Sequence, residues 1–328
     1  MKVFITGATG FIGASLAREL LREGYSVRAL VRPGSDRRNL AGLDVELWEG
    51  DLRDRGSLEL GIKGCDTLYH AAADYRLWTR RPAEMYEINV DGTRNVLEAA
   101  LRQGVSRAVY TSSVGTLGNP GNGIPGSETT PVALTDMVGH YKKSKFLAER
   151  EAESFVTRGL PLIIVNPSTP VGELDVKPTP TGKIIVDFLN RKMPAYLDTG
   201  LNIIDVTDCA RGHLLAARHG RVGEKYILGN QNLTLRDIFA MLAAITGVPA
   251  PRVRLPYTPI LAAAYVNEAL SRVTGREPLI PLAGVQMARK FMFFDSSKAV
   301  RELGLPQSPV SDALRKAVDW FRANGYAK

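Results

Sequence analysis

Apolar and polar positions follow two rhythms along the first half of the chain. Short apolar runs at Lys2–Thr6, Tyr25–Arg32, Val45–Trp48, Thr67–His70, Arg107–Thr111 and Pro161–Val165 have the length and β-branched content of strands covered on both faces. Between them apolar residues recur every three to four positions, as on helices packed by one face. Those helices are predicted at 16–22 (stopped by Gly24), 55–62, 82–102 (stopped by Gly104) and 140–158. Strands alternating with helices predict an α/β fold with a doubly wound parallel sheet. After Pro161–Val165 the rhythm breaks. Pro178, Pro180 and Gly182 punctuate a loop before a helix at 183–190. A return strand is expected over Asn202–Val206, then a helix capped by Asp208 and a short strand at Lys225–Leu228. From Thr234 onward helical patterns dominate, at 235–246, 259–273, 282–289, 296–303 and 310–324. The expected organisation is a sheet domain over 1–165, to which 202–228 returns, and a smaller, mostly helical C-terminal region over 166–328. No internal repeat is visible.

The first strand runs into Gly7-Ala8-Thr9-Gly10-Phe11-Ile12-Gly13, and a helix follows. Strand, glycine turn and helix in that order form the dinucleotide cradle of a Rossmann fold, where amides at a helix start face a pyrophosphate. Gly7 permits the turn, Gly10 lets backbone approach phosphate, and Gly13 lets helix and strand pack closely; Thr9, Phe11 and Ile12 complete the cradle. At the end of the second strand, where an acidic residue would hold a ribose 2′-hydroxyl, stands Arg32, with Arg37 and Arg38 close behind. A guanidinium suits a 2′-phosphate, so NADP(H) is the preferred cofactor and NAD(H) the alternative. Asp51, followed by Leu52, is placed to accept from an adenine amino group, or else caps the helix at 55–62. Ala71, Ala72 and Ala73 leave space for the cofactor at a strand's carboxyl end. His70 reads as a packed strand residue.

The composition, 45% hydrophobic and 23% charged, is that of an ordinary globular protein. A strand beginning at Lys2 leaves no room for a leader peptide, and the longest apolar stretch, 259–266, is too short to span a bilayer. Cys65 and Cys209 are isolated and lack metal-ligand spacing, which fits a reducing cytoplasm and no metal site. The net charge of +8 is spread along the chain without a nucleic-acid motif, so it points to an anionic cofactor rather than to nucleic acid.

The helix after the fifth strand carries Tyr141-Lys142-Lys143-Ser144-Lys145. Tyr141 and Lys145, four apart, share a face. A phenol of pKa about 10 is a poor base near neutrality, and a neighbouring ammonium favours its ionised form. Lowering it by about three units takes roughly 4 kcal/mol. Tyr141 could then pass a proton to or from an alcohol, with a serine from the Thr111-Ser112-Ser113 strand end orienting the same oxygen. Between these elements a Gly- and Pro-rich loop, 115–131, has the composition of a lid or a surface excursion.

These residues together resemble the extended short-chain dehydrogenases/reductases of the NAD-dependent epimerase/dehydratase superfamily. The resemblance spans the whole chain and is nearest to the branch of dihydroflavonol reductases and 3β-hydroxysteroid dehydrogenases. Residues 73–78, 165–172 and 177–183 look like the bacterial group called hopanoid-associated sugar epimerases. The resemblance implies Ser113 as catalytic serine, Tyr141 as acid/base, Lys145 as the lysine that tunes it and holds the nicotinamide ribose, and Pro167 and Ala71–Ala73 against the cofactor. One departure bears on substrate. Nucleotide-sugar epimerases carry an arginine where this chain has Leu201, ahead of 202–206, so a charge-assisted diphosphate contact is missing. Tyr75, Trp78 and the apolar segment 260–266 suggest a hydrophobic, sterol-, hopanoid- or flavonoid-like substrate, or else ordinary core packing. The expectation is an NADP(H)-preferring oxidoreductase acting on a secondary alcohol or ketone. The alternatives are a nucleotide-sugar epimerase and a non-catalytic cofactor-binding protein; relatives of the last kind usually lack the Tyr or Lys. Helices 82–102 and 140–158 could form a homodimer interface, and segment 260–266 with the basic charge could rest on a membrane surface.

Overall fold

The computed structural model describes residues 1–121 and 123–327; Asn122, inside the expected 115–131 loop, and Lys328 lie outside the described residues. The chain begins β1 (Lys2–Thr6), α1 (Phe11–Arg22), β2 (Ser26–Val31), β3 (Val45–Glu49), α2 (Arg55–Ile62) and β4 (Thr67–His70). It continues with α3 (Pro82–Tyr86), a π turn (Glu87–Asp91), α4 (Gly92–Gln103), β5 (Arg107–Thr111), α5 (Gly139–Thr157) and β6 (Leu162–Pro167). Then come β7 (Thr169–Val171), α6 (Pro180–Leu189), β8 (Ala195–Leu197), β9 (Gly200–Asp205), α7 (Val206–His219), β10 (Lys225–Leu228) and β11 (Gln231–Thr234). The last elements are α8 (Leu235–Thr246), β12 (Val253–Leu255), α9 (Tyr257–Thr274), α10 (Leu282–Met287), α11 (Ser297–Leu303) and α12 (Val310–Ala323).

Seven parallel strands form the central sheet in the order β3-β2-β1-β4-β5-β6-β10, a Rossmann-type doubly wound arrangement. Its middle strands are buried on both faces, which is why they read as unbroken apolar runs. One face is covered by α1, α7 and α11 through residues such as Leu16, Leu20, Ala210, Leu214 and Leu303. The other is covered by α2, α4 and α5 through Leu58, Val96, Leu97, Ala152 and Phe155. The strand order reverses between β1 and β4, and the carboxyl ends there open the crevice that positions a ligand in such sheets.

The expected return strand at 202–206 does not join this sheet. Gly200–Asp205 pairs with β7 and β11 in a separate three-stranded sheet, while α7 and β10 pack onto the large one. The small sheet, α6, α8 and α12 enclose their own core, with Phe188, Phe239, Leu314 and Phe321 fully buried. Among the described residues β8 pairs only with β12. The four short strands β7, β8, β11 and β12 escaped a reading by periodicity because three or four residues hold too little alternation.

Three further corrections are local. The helix expected over 82–102 is broken at 87–91 by the π turn, which turns Asn89 into the interior. The cap of α7 is Asp205, whose carboxylate accepts the Thr207 N–H at 2.7 Å; Asp208 sits in the first turn and holds the Ser308 N–H. Helix α6 starts at Pro180, whose lack of an N–H costs nothing in a first turn, with Thr179 as cap, earlier than the expected 183.

Candidate active site

The glycine turn joins β1 to α1 at the switch point. Gly7 has φ +78°, and a Cβ there would stand 2.6 Å from the Ala72 amide, so only glycine lets the turn lie against the end of β4. A Cβ on Gly13 would fall 2.1 Å from the Gly7 carbonyl oxygen, which is how closely α1 approaches the turn. Gly10 caps α1 with no side chain, and the first helical bond runs from Ala14 N–H to Gly10 C=O. The amides of Phe11, Ile12 and Gly13 therefore have no intrahelical acceptor and stand at the positive end of the helix dipole. Thr9 is held by Asn39, whose side-chain amide donates to the carbonyls of both Thr9 (3.2 Å) and Leu174 (3.0 Å).

Arg32 follows β2 on the surface and is exposed. Its basic neighbours are engaged: Arg37 pairs with Glu49 at 2.5 Å, and Arg38 forks onto Asp36, which holds that carboxyl down to about 2. Asp51 lies at the end of β3 and is gripped by Arg53, from Nε at 2.8 Å and Nη2 at 2.9 Å; that hydrogen bond is the chief reason its pKa falls below the usual carboxylate range. It does not cap α2. Asp54 does, accepting the Ser57 N–H. Leu52 is buried under α4, where it would meet a Cβ on Gly92. Ala71, Ala72 and Ala73 run half-buried from β4, with the amides of Ala71 and Ala72 bonded to Thr6. Pro167 ends β6, flanked by two buried polar atoms without a partner among the described residues, Asn166 Oδ1 and Ser168 Oγ. A cradle closed to side chains, free helix-start amides and unpartnered polar atoms across the crevice suit a dinucleotide.

Ser113 and Tyr141 meet beyond β5. Ser113 Oγ accepts the Gly115 N–H at 3.0 Å, and Tyr141 is its neighbour on α5. Burial raises the Tyr141 pKa, and the neighbouring Ser113 hydroxyl works against that rise. The expected lowering by Lys145 is not found in this arrangement. The Lys145 ammonium is 3% exposed and donates to Tyr110 Oη at 3.0 Å and the Thr111 carbonyl at 2.7 Å, lying over the Tyr110 ring. Burial brings its pKa down to about 7, opposed by the charge of Glu149 one turn along α5. Two of its three donors are used, which leaves one for a ligand oxygen.

Two buried networks hold these groups, and the motif spacing announced neither. Glu149 is fully buried; Oε2 accepts from Ser112 Oγ (2.5 Å), Thr116 Oγ1 (2.7 Å) and Asn166 Nδ2 (2.9 Å), and Oε1 pairs with Lys225 at 2.6 Å. Its sequence signal was a carboxylate one turn beyond Lys145 on a stripe otherwise apolar. Behind Lys145 and Tyr110, Thr93 donates to the Asn89 carbonyl at 2.6 Å, and His70 links Thr93 (3.0 Å) to Thr6 (2.7 Å). Thr93 spends its proton on Asn89, so it accepts from His70 Nε2–H, and Thr6 donates to His70 Nδ1. His70 is a core residue, held neutral by burial with a pKa near 3. Asn89 also ties the 74-loop to α5, through Asp74 and Ser144 Oγ. Tyr75 is 39% exposed and donates to the Lys177 carbonyl at 3.3 Å; Trp78 is half-buried on the same loop.

Comparison with known proteins places this geometry. The NAD dependent epimerase/dehydratase family matches residues 3–229. A Synechocystis protein provisionally named a dihydroflavonol 4-reductase is 48% identical over 99% of this chain and 96% of its own. Sterol demethylase protein B of Methylococcus capsulatus is 35% identical over 99% of each. Among solved structures, the dTDP-glucose 4,6-dehydratase DesIV of Streptomyces venezuelae, with NAD and TYD bound, superposes with a TM-score of 0.79 at 25% identity, over 100% of this chain and 99% of that one.

Proposed function

The chain belongs to the NAD dependent epimerase/dehydratase family, the extended short-chain dehydrogenases/reductases, and from that premise we propose an NADP(H)-preferring oxidoreductase that interconverts a secondary alcohol and a ketone on a hydrophobic, sterol- or flavonoid-like substrate. The observation that carries the reading is Ser113 and Tyr141 as neighbours at the carboxyl end of the sheet, which also carries the glycine cradle. In this reading Gly7–Gly13 hold the pyrophosphate, Asp51 and Leu52 the adenine, Arg32 the 2′-phosphate, and Ala71–Ala73 and Pro167 flank the nicotinamide. NAD(H) is the alternative dinucleotide. When bound, the nicotinamide supplies hydride in the reducing direction and takes it in the oxidising one.

The protein's own part is proton handling. Ser113 Oγ, oriented by the Gly115 N–H, donates to the substrate oxygen. Tyr141 gives that oxygen its proton during reduction and takes it back during oxidation. Lys145, held by Tyr110 and the Thr111 carbonyl, offers its remaining donor to the nicotinamide ribose. Two features support an apolar substrate. Leu201 lies on β9 against the apolar core of the small sheet, where sugar-nucleotide enzymes place a guanidinium. Tyr75 and Trp78 stand on the 74-loop beside the crevice. Helix α9, whose Tyr265, Val266, Leu270 and Val273 are more than half exposed, is the surface for peripheral membrane contact; no described helix is long and apolar enough to cross a bilayer. A homodimer through α4 and α5 is the assembly this reading favours.

The test is titration with NADPH and NADH, followed by turnover of sterol- and flavonoid-type ketones. NADPH should bind at least tenfold tighter, a difference of about 1.4 kcal/mol. Tyr141→Phe should lose at least a hundredfold in turnover, in the range of general acid–base catalysis, with cofactor affinity nearly unchanged. Equal or tighter NADH binding removes Arg32 from its role, and near-full turnover in Tyr141→Phe ends the mechanism. Conversion of UDP-glucose with no net change in NAD(P)H would favour the epimerase instead.

A further inference from the structure

On α5, Lys142 directly follows Tyr141. Its stem runs along Gly115: Cγ and Cε lie 3.6 Å from the point where a Cβ on that glycine would stand, and Ser113 Oγ lies 3.1 Å from the same point. The lysine and the reacting serine therefore flank one glycine. Beyond the stem, the Lys142 ammonium meets only the thioether of Met292, at 3.8 Å, a weak acceptor. A second ammonium comes from the C-terminal region. Lys290 Nζ donates to the Asn119 carbonyl at 3.2 Å, and Asn119 Nδ2 in turn reaches the Phe291 carbonyl (2.7 Å) and Met292 Sδ (3.7 Å). Two cations from separate segments thus converge on one sulfur-lined patch, and among the described residues neither has a carboxylate in ion-pairing range.

That arrangement is unfavourable as it stands. Lys142 is half-buried, and burial first, then the charge of Lys290, brings its pKa down to about 8. A solvated surface pair would avoid both costs by extending into water. An oxyanion between the two ammoniums relieves both.

We infer that Lys142 and Lys290 form an anion-recognising subsite beside Ser113 and Tyr141, so that the substrate is an apolar molecule bearing one carboxylate or phosphate near its reacting oxygen. The inference rests on the proposed reading of Ser113 and Tyr141 as the reacting centre. It narrows the substrate class from a neutral hydrophobe to an anionic amphiphile. Met292 offers Lys142 only a weak sulfur acceptor, which leaves that ammonium undercompensated until the anion arrives.

The experiment is calorimetric titration of the NADP⁺-loaded protein with decanoate, decyl phosphate and decanol, which share a chain and differ in head group. At least one anion should bind tenfold or more tighter than decanol, and the stronger of the two identifies the head group. In Lys142→Met, which keeps an unbranched stem, the preference should fall below about threefold with decanol affinity unchanged. Lys290→Met, a surface change that leaves the core untouched, should reduce the preference in part. No anion preference in the wild type, or a preference that survives both substitutions, overturns the subsite. Tyr141→Phe should retain the preference, so a failure of the catalytic reading shows in turnover and a failure of the subsite shows in binding.

Discussion

Asp175 lies in the loop between β7 and α6, 2% exposed, and accepts the Thr179 N–H on both oxygens (3.0 and 2.9 Å) and the Thr179 hydroxyl at 2.9 Å. Burial drives its pKa from 3.8 up to about 6, although those hydrogen bonds pull the other way. An acid whose folded pKa exceeds its unfolded one holds its proton more tightly in the folded state. Its contribution is therefore intact below the unfolded value and is forfeited as pH rises through the folded value. The difference corresponds to about 3 kcal/mol at neutral pH. Asp175→Asn removes the charge and keeps one oxygen for Thr179. It also brings in an amide NH₂ beside Gly182, where space is short, at a cost of about 1–2 kcal/mol if unpaired. The charge effect is the larger, so the variant should be more stable than wild type by about 1–2 kcal/mol near pH 7.5, or roughly 1.5–3 °C in Tm for a chain of this size. Near pH 4 the gain should vanish or change sign, because the wild-type carboxyl is then protonated in the folded state. Thermal unfolding of both proteins across that range is the assay. A variant destabilised equally at both ends would show that hydrogen bonding, not charge, governs this site.

Glu149→Gln should cost about 2–3 kcal/mol, below the range for breaking a fully buried pair because Lys225 keeps Glu153 at 2.8 Å. Burial pushes the Glu149 carboxyl up, but Lys225, Ser112 and Thr116 together bring it below the ordinary value. The penalty should thus be complete above about pH 4.5 and shrink as pH falls through the folded pKa; an unchanged Tm near neutrality would contradict it. Gly13→Ala puts a methyl 2.1 Å from the Gly7 carbonyl and should weaken NADPH binding at least tenfold by calorimetry. Cys209 is fully buried and Cys65 nearly so, and burial raises both thiols, so neither should react with an aromatic disulfide reagent before the protein unfolds.

Much of the large sheet was legible because strands buried on both faces leave contiguous apolar runs, and the cradle was legible because a tight turn and a close helix approach both demand glycine. What depended on a third dimension was not. The π turn at 87–91 exists because buried Asn89 meets Asp74 and Ser144, which lie far from it in sequence. Asp51 and Asp54 offer the same capping chemistry three residues apart, as do Asp205 and Asp208, and only the path of the backbone separates them. The face shared by Tyr141 and Lys145 was visible in their spacing. The direction of the ammonium was not, because its acceptors belong to β5.

The hydrogen-bond chain behind Lys145 has a consequence for proton traffic. Lys145 donates to Tyr110, and beyond it Ala72, Thr6 and His70 feed the Thr93 hydroxyl, which donates to a backbone carbonyl. A carbonyl cannot pass a proton on, so the chain is a cul-de-sac. It fixes positions without conducting charge. In the proposed reading, the protons that Tyr141 spends in turnover therefore come by a route other than this chain.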